Sequence, residues 1–546
     1  MSELPTNPAA PIPAAASPDA AAGSPTAAPA SAPRMRVWPA VLIIAGLWAT
    51  KILPGWLIPG TIASFMVSMW GPMFMTIVFL LWWIFASRLP WKERFLVLGA
   101  CLATAAVAIY AYHPSMKEMG GMSISIGVVP LVVSFWGAWL LCTLLVSWPI
   151  RRAGLFVLFA LVWGYFALVR LDGIDGAFQS TMNFRWNPTP EELYLKQASS
   201  AQPVATPVEE SSEVLTLDAE DWPGFRGAER DGVRSGIQID TDWSSHPPRE
   251  LWRKRVGPGW SSFAVVGTRV YTQEQRGEVE VVVCYDAATG KELWKHSDKV
   301  RFEEAIAGPG PRATPTFAEG RIYAQGASGL LNCLDAVTGR QIWTADIEHD
   351  SGAKRPTWGY SASPHVAAGI VSIYAGGPNK KSVLGYDAET GELKWSNGEG
   401  EFGYCSTQLS RIEGVDQLLV STDQGVSSFA PADGKLLWHF DSRLEGGMAR
   451  VVQPAVVGGT DVLIGTGFGN GTRRFHVSQE QGEWQTKEVW WNQTFSPYYN
   501  DFVIHQNFLY GFNNNFFVCV NLDDGKMKWK ARGYGNGEVL LLAEQG

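Results

Sequence analysis

Five times in the second half of this chain a turn-prone stretch closes on a glycine, and a tryptophan follows four residues later. The regular copies are YDAATGKELW (Tyr285 to Trp294), LDAVTGRQIW (Leu334 to Trp343) and YDAETGELKW (Tyr386 to Trp395); FAPADGKLLW (Phe429 to Trp438) and VNLDDGKMKW (Val520 to Trp529) are looser relatives. Gly290, Gly339, Gly391 and Gly434 stand 49, 52 and 43 residues apart, and Gly525 follows after 91, about two periods. Self-similarity at such a period marks a repeat architecture and excludes a single irregular core.

Each copy leaves a run rich in β-branched and aromatic residues, such as Val279 to Tyr285, so the chain is leaving a strand. Asp286, Asp335 and Asp387 can accept backbone amides in the turn, and glycine supplies the positive φ of a tight hairpin. A tryptophan fixed on the next strand can lie flat against the neighbouring sheet. Sheets of about four short strands every 40 to 50 residues predict propeller blades. Docking tryptophans are expected at Trp252, Trp294, Trp343, Trp395, Trp438, Trp490 and Trp529, with Trp490 in a degenerate copy, HVSQEQGEWQTKEVW. Trp252 comes too early to own a blade and is expected on an outer strand that pairs with C-terminal strands. Six complete blades then lie between Trp252 and Trp529, in a ring of seven or eight. The closing blade is expected to be incomplete, because GNGEVLLLAEQG stops where a further strand pair should begin.

DAATGKELW and its siblings resemble the tryptophan-docking repeats of pyrroloquinoline-quinone (PQQ) propellers, a superfamily of quinoprotein dehydrogenases and quinone-free barrel-assembly lipoproteins. DWPGFRGAERDG (Asp221 to Gly232), GPRATP (Gly310 to Pro315) and WGYSASP (Trp358 to Pro364) resemble a narrower bacterial group of PQQ-like propellers of undetermined activity. The resemblance spans about Asp221 to Gly546 and implies the fold, not a chemistry.

The first half is of another kind. Residues 1–36, rich in Ala, Pro and Ser, read as a disordered cytoplasmic tail. Residues 37–170 carry five apolar stretches, about Val37 to Thr50, Ser64 to Phe85, Phe95 to Tyr112, Ile124 to Val146 and Ala153 to Val169. Most approach the ~20 residues that cross a bilayer as helix, which predicts five transmembrane helices. Arg34, Arg36, Arg88, Lys92, Arg94, Arg151 and Arg152 outnumber Lys51, Lys117, Arg170 and Arg185 at the opposite ends, so the N-terminus is expected in the cytoplasm of a bacterial inner membrane and the propeller (221–546) outside it. Residues 171–220 form an exported linker: Gln197 to Glu213 reads as a spacer, and FRWNPTPEELYL (Phe184 to Leu195) as a short surface helix.

A net charge of −8 argues against a nucleic-acid partner. Six cysteines are few; Cys284, Cys333 and Cys519 sit at equivalent repeat positions and read as small packing residues rather than disulfide partners. The strand starts that ring one mouth of the channel are Trp260, Ser261 and Ser262; Arg312 and Thr314; Trp358, Tyr360 and Ser361; Tyr404, Ser406 and Gln408; Arg450 and Gln453; then Tyr498, Tyr499, Asn500 and Asp501. Trp260, Arg312, Trp358, Tyr360, Tyr404, Arg450, Tyr498 and Asn500 are the candidate ligand-binding set, since arginine with aromatics can stack a planar group or clamp a carboxylate. Polar and aromatic lining of a structural channel is the reading that accounts for them first, a ligand site second. Asp501 is the candidate base, and with Asn500 could hold calcium. No metal motif, P-loop or nucleophile elbow is present.

Five helices before an exported propeller are similar in layout to the membrane-bound quinoprotein glucose dehydrogenases, which implies PQQ, Ca²⁺ and ubiquinone as one alternative. Against it, there is no Gly-Asp-Asn segment, no vicinal cysteine pair and no Glu/Asn calcium set at separate mouths. Trp-to-Trp steps of 39 to 52 residues leave little chain to wall in a quinone. The sequence therefore points first to a non-enzymatic, cofactor-free binding or scaffolding module for a cell-envelope protein or peptide.

Overall fold

The computed structural model describes residues 35–58, 62–118, 123–174, 180–200, 215–304, 306–445, 448–535 and 537–545. The expected tail and most of the expected spacer lie outside them.

Four helices are long and apolar enough to cross a membrane: α1 (Trp38–Leu57), α2 (Ile62–Leu81, continued as a π-turn over Trp82–Ala86), α3 (Trp91–Ala111) and α5 (Trp148–Leu168). The remaining apolar segment forms the shorter α4 (Val129–Cys142). The first stretch does not stop near Thr50; α1 runs through Pro54, which at this position removes only one helix bond near the C-terminal end. Aromatic rings knit the bundle, with Trp136 at 4.7 Å from Trp83 and 4.9 Å from Phe159. Phe74, Leu102, Val107 and Leu161 point outward, a belt suited to lipid rather than water.

Beyond a hairpin (Val169–Ile174 with Ser180–Phe184) comes α6 (Pro190–Ser200). Thr189 and Glu192 close a capping box at its start: Thr189 N donates to Glu192 Oε2 at 2.8 Å and Glu192 N to Thr189 Oγ1 at 3.0 Å.

The described residues then build six four-stranded antiparallel sheets, each an up-and-down meander of consecutive strands. Sheet 1 runs from Ala264–Val266 to Glu292–Asp298, sheet 2 from Thr316–Ala318 to Gln341–Asp346, and sheet 3 from His365–Ala367 to Leu393–Asn397. Sheet 4 runs from Gln408–Ile412 to Leu436–Asp441, sheet 5 from Ala455–Val457 to Glu483–Asn492, and sheet 6 from Val503–His505 to Met527–Ala531. Five apolar clusters each join one sheet to the next, so the sheets stack face to face in chain order, consistent with propeller blades.

The repeat glycines have a use beyond the turn. Five indoles each lie on the glycine of the sheet that follows: Trp252 on Gly290, Trp294 on Gly339, Trp343 on Gly391, Trp395 on Gly434 and Trp490 on Gly525. A Cβ at Gly391 would stand 2.6 Å from the Trp343 ring. Indole Nε1 of Trp294, Trp343 and Trp490 donates to Ala336, Ala388 and Leu522 O at 3.0, 3.0 and 2.8 Å. Asp286, Asp335 and Asp387 each accept from the amide and hydroxyl of the threonine before the glycine. Sheet 5 lacks this turn, and Trp438 bonds Gln417 Oε1 at 2.7 Å instead.

Trp252 occupies no strand, contrary to expectation; it docks from an irregular stretch, with Nε1 on Ala287 O at 2.9 Å. The C-terminal strand Leu541–Leu542 pairs in parallel with Val233–Arg234. Asp221 to Gly232 crosses between sheets instead: Trp222 bridges Val265 of sheet 1, Pro223 O accepts from Phe317 N of sheet 2, and Arg226 Nη2 donates to Phe502 O of sheet 6.

Gly391→Ala should cost about 3 kcal/mol, from positive-φ strain and the blocked indole together. Gly236→Ala, also at positive φ but in open space, should cost about 1 kcal/mol. Chemical denaturation of both variants of the full chain in detergent measures the difference; equal losses would assign glycine to the turn alone.

Candidate functional site

In a meander, the hairpin between strands two and three and the link to the next sheet share one end. At that end a chain of hydrogen bonds runs from sheet to sheet around the axis. Ser262 N donates to Thr314 Oγ1 (3.2 Å), Thr314 N to Ser363 Oγ (2.9 Å), and Ser363 N to Ser406 Oγ (2.8 Å). Ser406 N continues to the Gln453 carboxamide oxygen (3.0 Å), Gln453 N to Asp501 Oδ1 (2.7 Å), and Asp501 N to Glu538 Oε2 (3.1 Å). Each step satisfies a buried amide with the equivalent side chain of the next sheet. Glu538 thus holds a seventh position, beyond the six sheets.

Two arginines lie along the axis beside this chain. Arg226 Nη1 pairs with Asp501 Oδ2 at 3.4 Å. Arg230, buried, donates to Thr407 O (2.8 Å), Ser363 O and Thr316 Oγ1 (both 3.3 Å) and Pro364 O. Burial brings its pKa down to about 9. Burial also raises the Asp501 carboxyl, against the pull of Arg226, and pushes Glu538 up to about 7 with the Asp501 charge adding.

The residues expected at the mouth divide into two groups. Trp260, 63% exposed, donates Nε1 to Ala307 O at 2.8 Å. Trp358 and Tyr404 meet edge to face at 5.5 Å, and Tyr498 packs on Phe468 at 4.4 Å. These four keep ring surface at the mouth. Arg312 lies over Phe302 at 4.7 Å and pairs with Glu304 at 2.9 Å.

The second group is internal. Tyr360 is buried beside Gly329 between sheets 2 and 3. Arg450 is buried with Nε on Thr466 Oγ1 at 3.1 Å and its terminal nitrogens on Thr422 O, Ser442 O and Ser442 Oγ. Asn500 donates to Gly537 O at 2.9 Å. Asp501 is buried, accepting from Gln453 N through Oδ1 and facing Arg226 through Oδ2. Sequence reasoning chose Ser361 where Ser363 carries the chain, and missed Arg226, Arg230 and Glu538. Spacing was the available signal, since the seven linked positions recur every 37 to 52 residues.

This end faces the helical half. Glu191 of α6 accepts from Gly277 N and pairs with Arg301, both at 2.9 Å; Ile174 N donates to Ile306 O at 2.9 Å; and Phe65 of α2 lies 6.5 Å from Phe468.

Comparison with known proteins bears on what this geometry serves. The family described as outer membrane protein assembly factor BamB matches residues 246–329 and 279–531. The chain belongs to this PQQ-repeat family. It is 32% identical to quinohemoprotein alcohol dehydrogenase ADH-IIG of Pseudomonas putida over 24% of this chain and 18% of that protein. It is 30% identical to the dehydrogenase subunit of the quinone alcohol dehydrogenase of Gluconobacter oxydans (strain 621H) over 36% and 26%. The match therefore spans less than a third of the length of either relative. Among solved structures, a europium-containing methanol dehydrogenase superposes with TM-score 0.34 at 13% identity, covering 59% of this chain and 87% of that one. BamB from Moraxella catarrhalis gives 0.29 at 16%, covering 49% and 82%.

The residues present do not fit PQQ with calcium. Among the described residues no three His, Cys, Asp or Glu side chains cluster to hold a cation, Asp501 and Asn500 are engaged as above, and the six cysteines are free and none vicinal. Arg312, the mouth's arginine, is already neutralised by Glu304.

Glu538 titrates at about 7 in the fold against an ordinary 4.5, so the folded chain keeps a proton that the unfolded chain releases between those values. Stability should therefore fall as pH rises from about 4.5 to about 7, by on the order of 1 kcal/mol, because the Glu538 side chain is exposed and solvent screens its charge. Glu538→Gln should flatten this slope in thermal melts taken across that window.

Proposed function

We infer that the chain is a membrane-anchored, exported propeller that binds a protein or peptide of the cell envelope. The observation that carries this reading is that Arg312 is paired with Glu304 and Asp501 with Arg226, while Arg450 and Arg230 are bonded by oxygens. Beside them lies the aromatic face of Trp260, Trp358, Tyr404 and Tyr498, a recognition surface. The family's description as an assembly factor supports the same reading.

In this reading residues 1–36 are a cytoplasmic tail, 37–170 span the bacterial inner membrane five times with the short α4 among the spans, 171–220 are the exported linker, and 221–546 are the propeller. Glu538 marks a seventh blade position. The similarity to the Pseudomonas and Gluconobacter alcohol dehydrogenases favours a second reading, a quinoprotein dehydrogenase oxidising an alcohol or sugar with PQQ and Ca²⁺.

Two measurements separate these. A photoreactive residue at Trp358 should trap an envelope polypeptide in cells; no adduct above that of a control at Lys487 overturns the binding reading. Full-length protein in detergent, given PQQ and Ca²⁺, should neither take up quinone stoichiometrically nor reduce a dye with alcohols. Uptake with turnover would replace binding by the dehydrogenase.

A further inference from the structure

Between the segment that crosses from sheet to sheet and the inner strands of sheets 4, 5 and 6 lies a cavity of about 340 Å³. Small-molecule sites begin at about this size. On the crossing side Arg226 and Arg230 both adopt positive φ, 61° and 55°. The turn carries Arg230 inward, to 3% exposure, while its neighbours Glu229 and Asp231 stay exposed. All four residues line the cavity.

The charges of the two arginines are met differently. Arg226 has Asp501 opposite it, whereas Arg230 pairs with no carboxylate among the described residues. Its terminal nitrogens donate to the carbonyl oxygens of Ser363, Pro364 and Thr407 and to Thr316 Oγ1, and its Nε makes no bond to a described residue. Those oxygens satisfy N–H groups but carry no full charge, so a buried guanidinium stands uncompensated on the cavity wall. Glu229 and Asp231 do little to offset it, since water screens exposed carboxylates.

Next to Thr407, whose carbonyl Arg230 holds, a second group is idle. Gln408, 6% exposed, begins the inner strand of sheet 4 and lines the cavity, and its buried Oε1 has no partner. The Gln453 carboxamide, also in the wall, is by contrast taken by the Ser406 backbone. A buried amide left unbonded is costly, and it can offer N–H to an acceptor or C=O to a donor. Leu409, Val456 and Ile504 add an apolar wall that is only half-buried.

We propose that this cavity binds a small organic carboxylate, its charge against Arg230 and Gln408 and its apolar body along Leu409, Val456 and Ile504. One carboxylate oxygen would take the Arg230 Nε–H and the other the Gln408 amide N–H. No residue is shared with the aromatic mouth, so either site can fail without the other.

The test titrates the full chain in detergent with isovalerate, isovaleramide and isoamylamine, which share a branched body and differ in charge, and follows binding by calorimetry. Saturable binding of isovalerate is expected, at least ten-fold tighter than that of the amide, because the amide lacks the charge that Arg230 would meet. Gln408→Leu should weaken it about five-fold. Ser410→Trp, on the same strand face as Gln408, should abolish it by filling the space. Neither variant touches Arg230, which also ties sheets 2, 3 and 4 together, and the ligand series leaves the protein unaltered. Absence of saturable binding, equal binding of the amide, or tighter binding of the amine overturns the proposal, the last by assigning the cavity to Glu229 and Asp231. Isovalerate binding that survives Ser410→Trp, or that Gln408→Leu leaves unchanged, overturns it as well, by placing the acid at the mouth or in the micelle.

Discussion

An indole resting on a glycine sets the spacing of this domain. Burying 150 to 250 Å² at roughly 25 cal/mol per Å² gives each joint on the order of 4 to 6 kcal/mol as an upper bound. That exceeds the ~1 kcal/mol of the indole hydrogen bond beside it. The hydrogen bond contributes direction: with Nε1 fixed on one carbonyl, as at Ala336 and Ala388, the ring can neither slide nor turn on its glycine. One sheet's position relative to the next follows, and with it the alignment that lets Ser262, Thr314, Ser363 and Ser406 hand amides round the axis. The glycine is constrained twice, by a positive φ and by the ring that fills the place of its side chain.

The repeats, the apolar helices and the run of four-stranded sheets were legible because each is written in local pattern: Gly and Trp at fixed offset, long apolar stretches, alternating strands. The docking direction was not, because the glycine serves the tryptophan of the preceding sheet, and local sequence carries no record of a partner 40 or 50 residues away. The same limit explains Arg450 and Tyr360. Both fall at strand starts, where an arginine or tyrosine suits a ligand, yet neighbouring sheets close over them. Ser361 and Ser363 are indistinguishable by composition, and alignment with Ser406, a whole four-stranded sheet further along the chain, decides between them. Trp438 departs from its siblings because sheet 5 has traded the Asp-x-x-Thr-Gly turn for the longer hairpin Gly471–Glu480 and Glu483–Asn492.

Charge on the axis constrains function more than the repeats do. A guanidinium out of water is costly without partners, and Arg230 meets that cost with backbone and hydroxyl oxygens contributed by sheets 2, 3 and 4. Arg226 and Asp501 join the crossing segment to sheet 6, and Glu538 joins sheet 6 to the chain that follows. The segment from Asp221 to Gly232 therefore ties the first, middle and last sheets together along the axis that would otherwise be open. Between this segment and sheets 4 and 5 lies a cavity of about 340 Å³ lined by Arg226, Arg230, Gln408 and Gln453.

The rim is in turn shaped by the membrane half. Contacts from α6 reach sheet 1 at Gly277 and Arg301, and Phe65 of α2 reaches sheet 5 at Phe468. Both fall at the mouth end, so the aromatic face looks toward the bundle and not away from it. Trp358 and Tyr404, on the links into sheets 3 and 4, lie between these two points of attachment. The capped start of α6 anchors this attachment, because Glu191 stands one residue from the Glu192 that closes the box and reaches both Gly277 and Arg301 from the same helix turn.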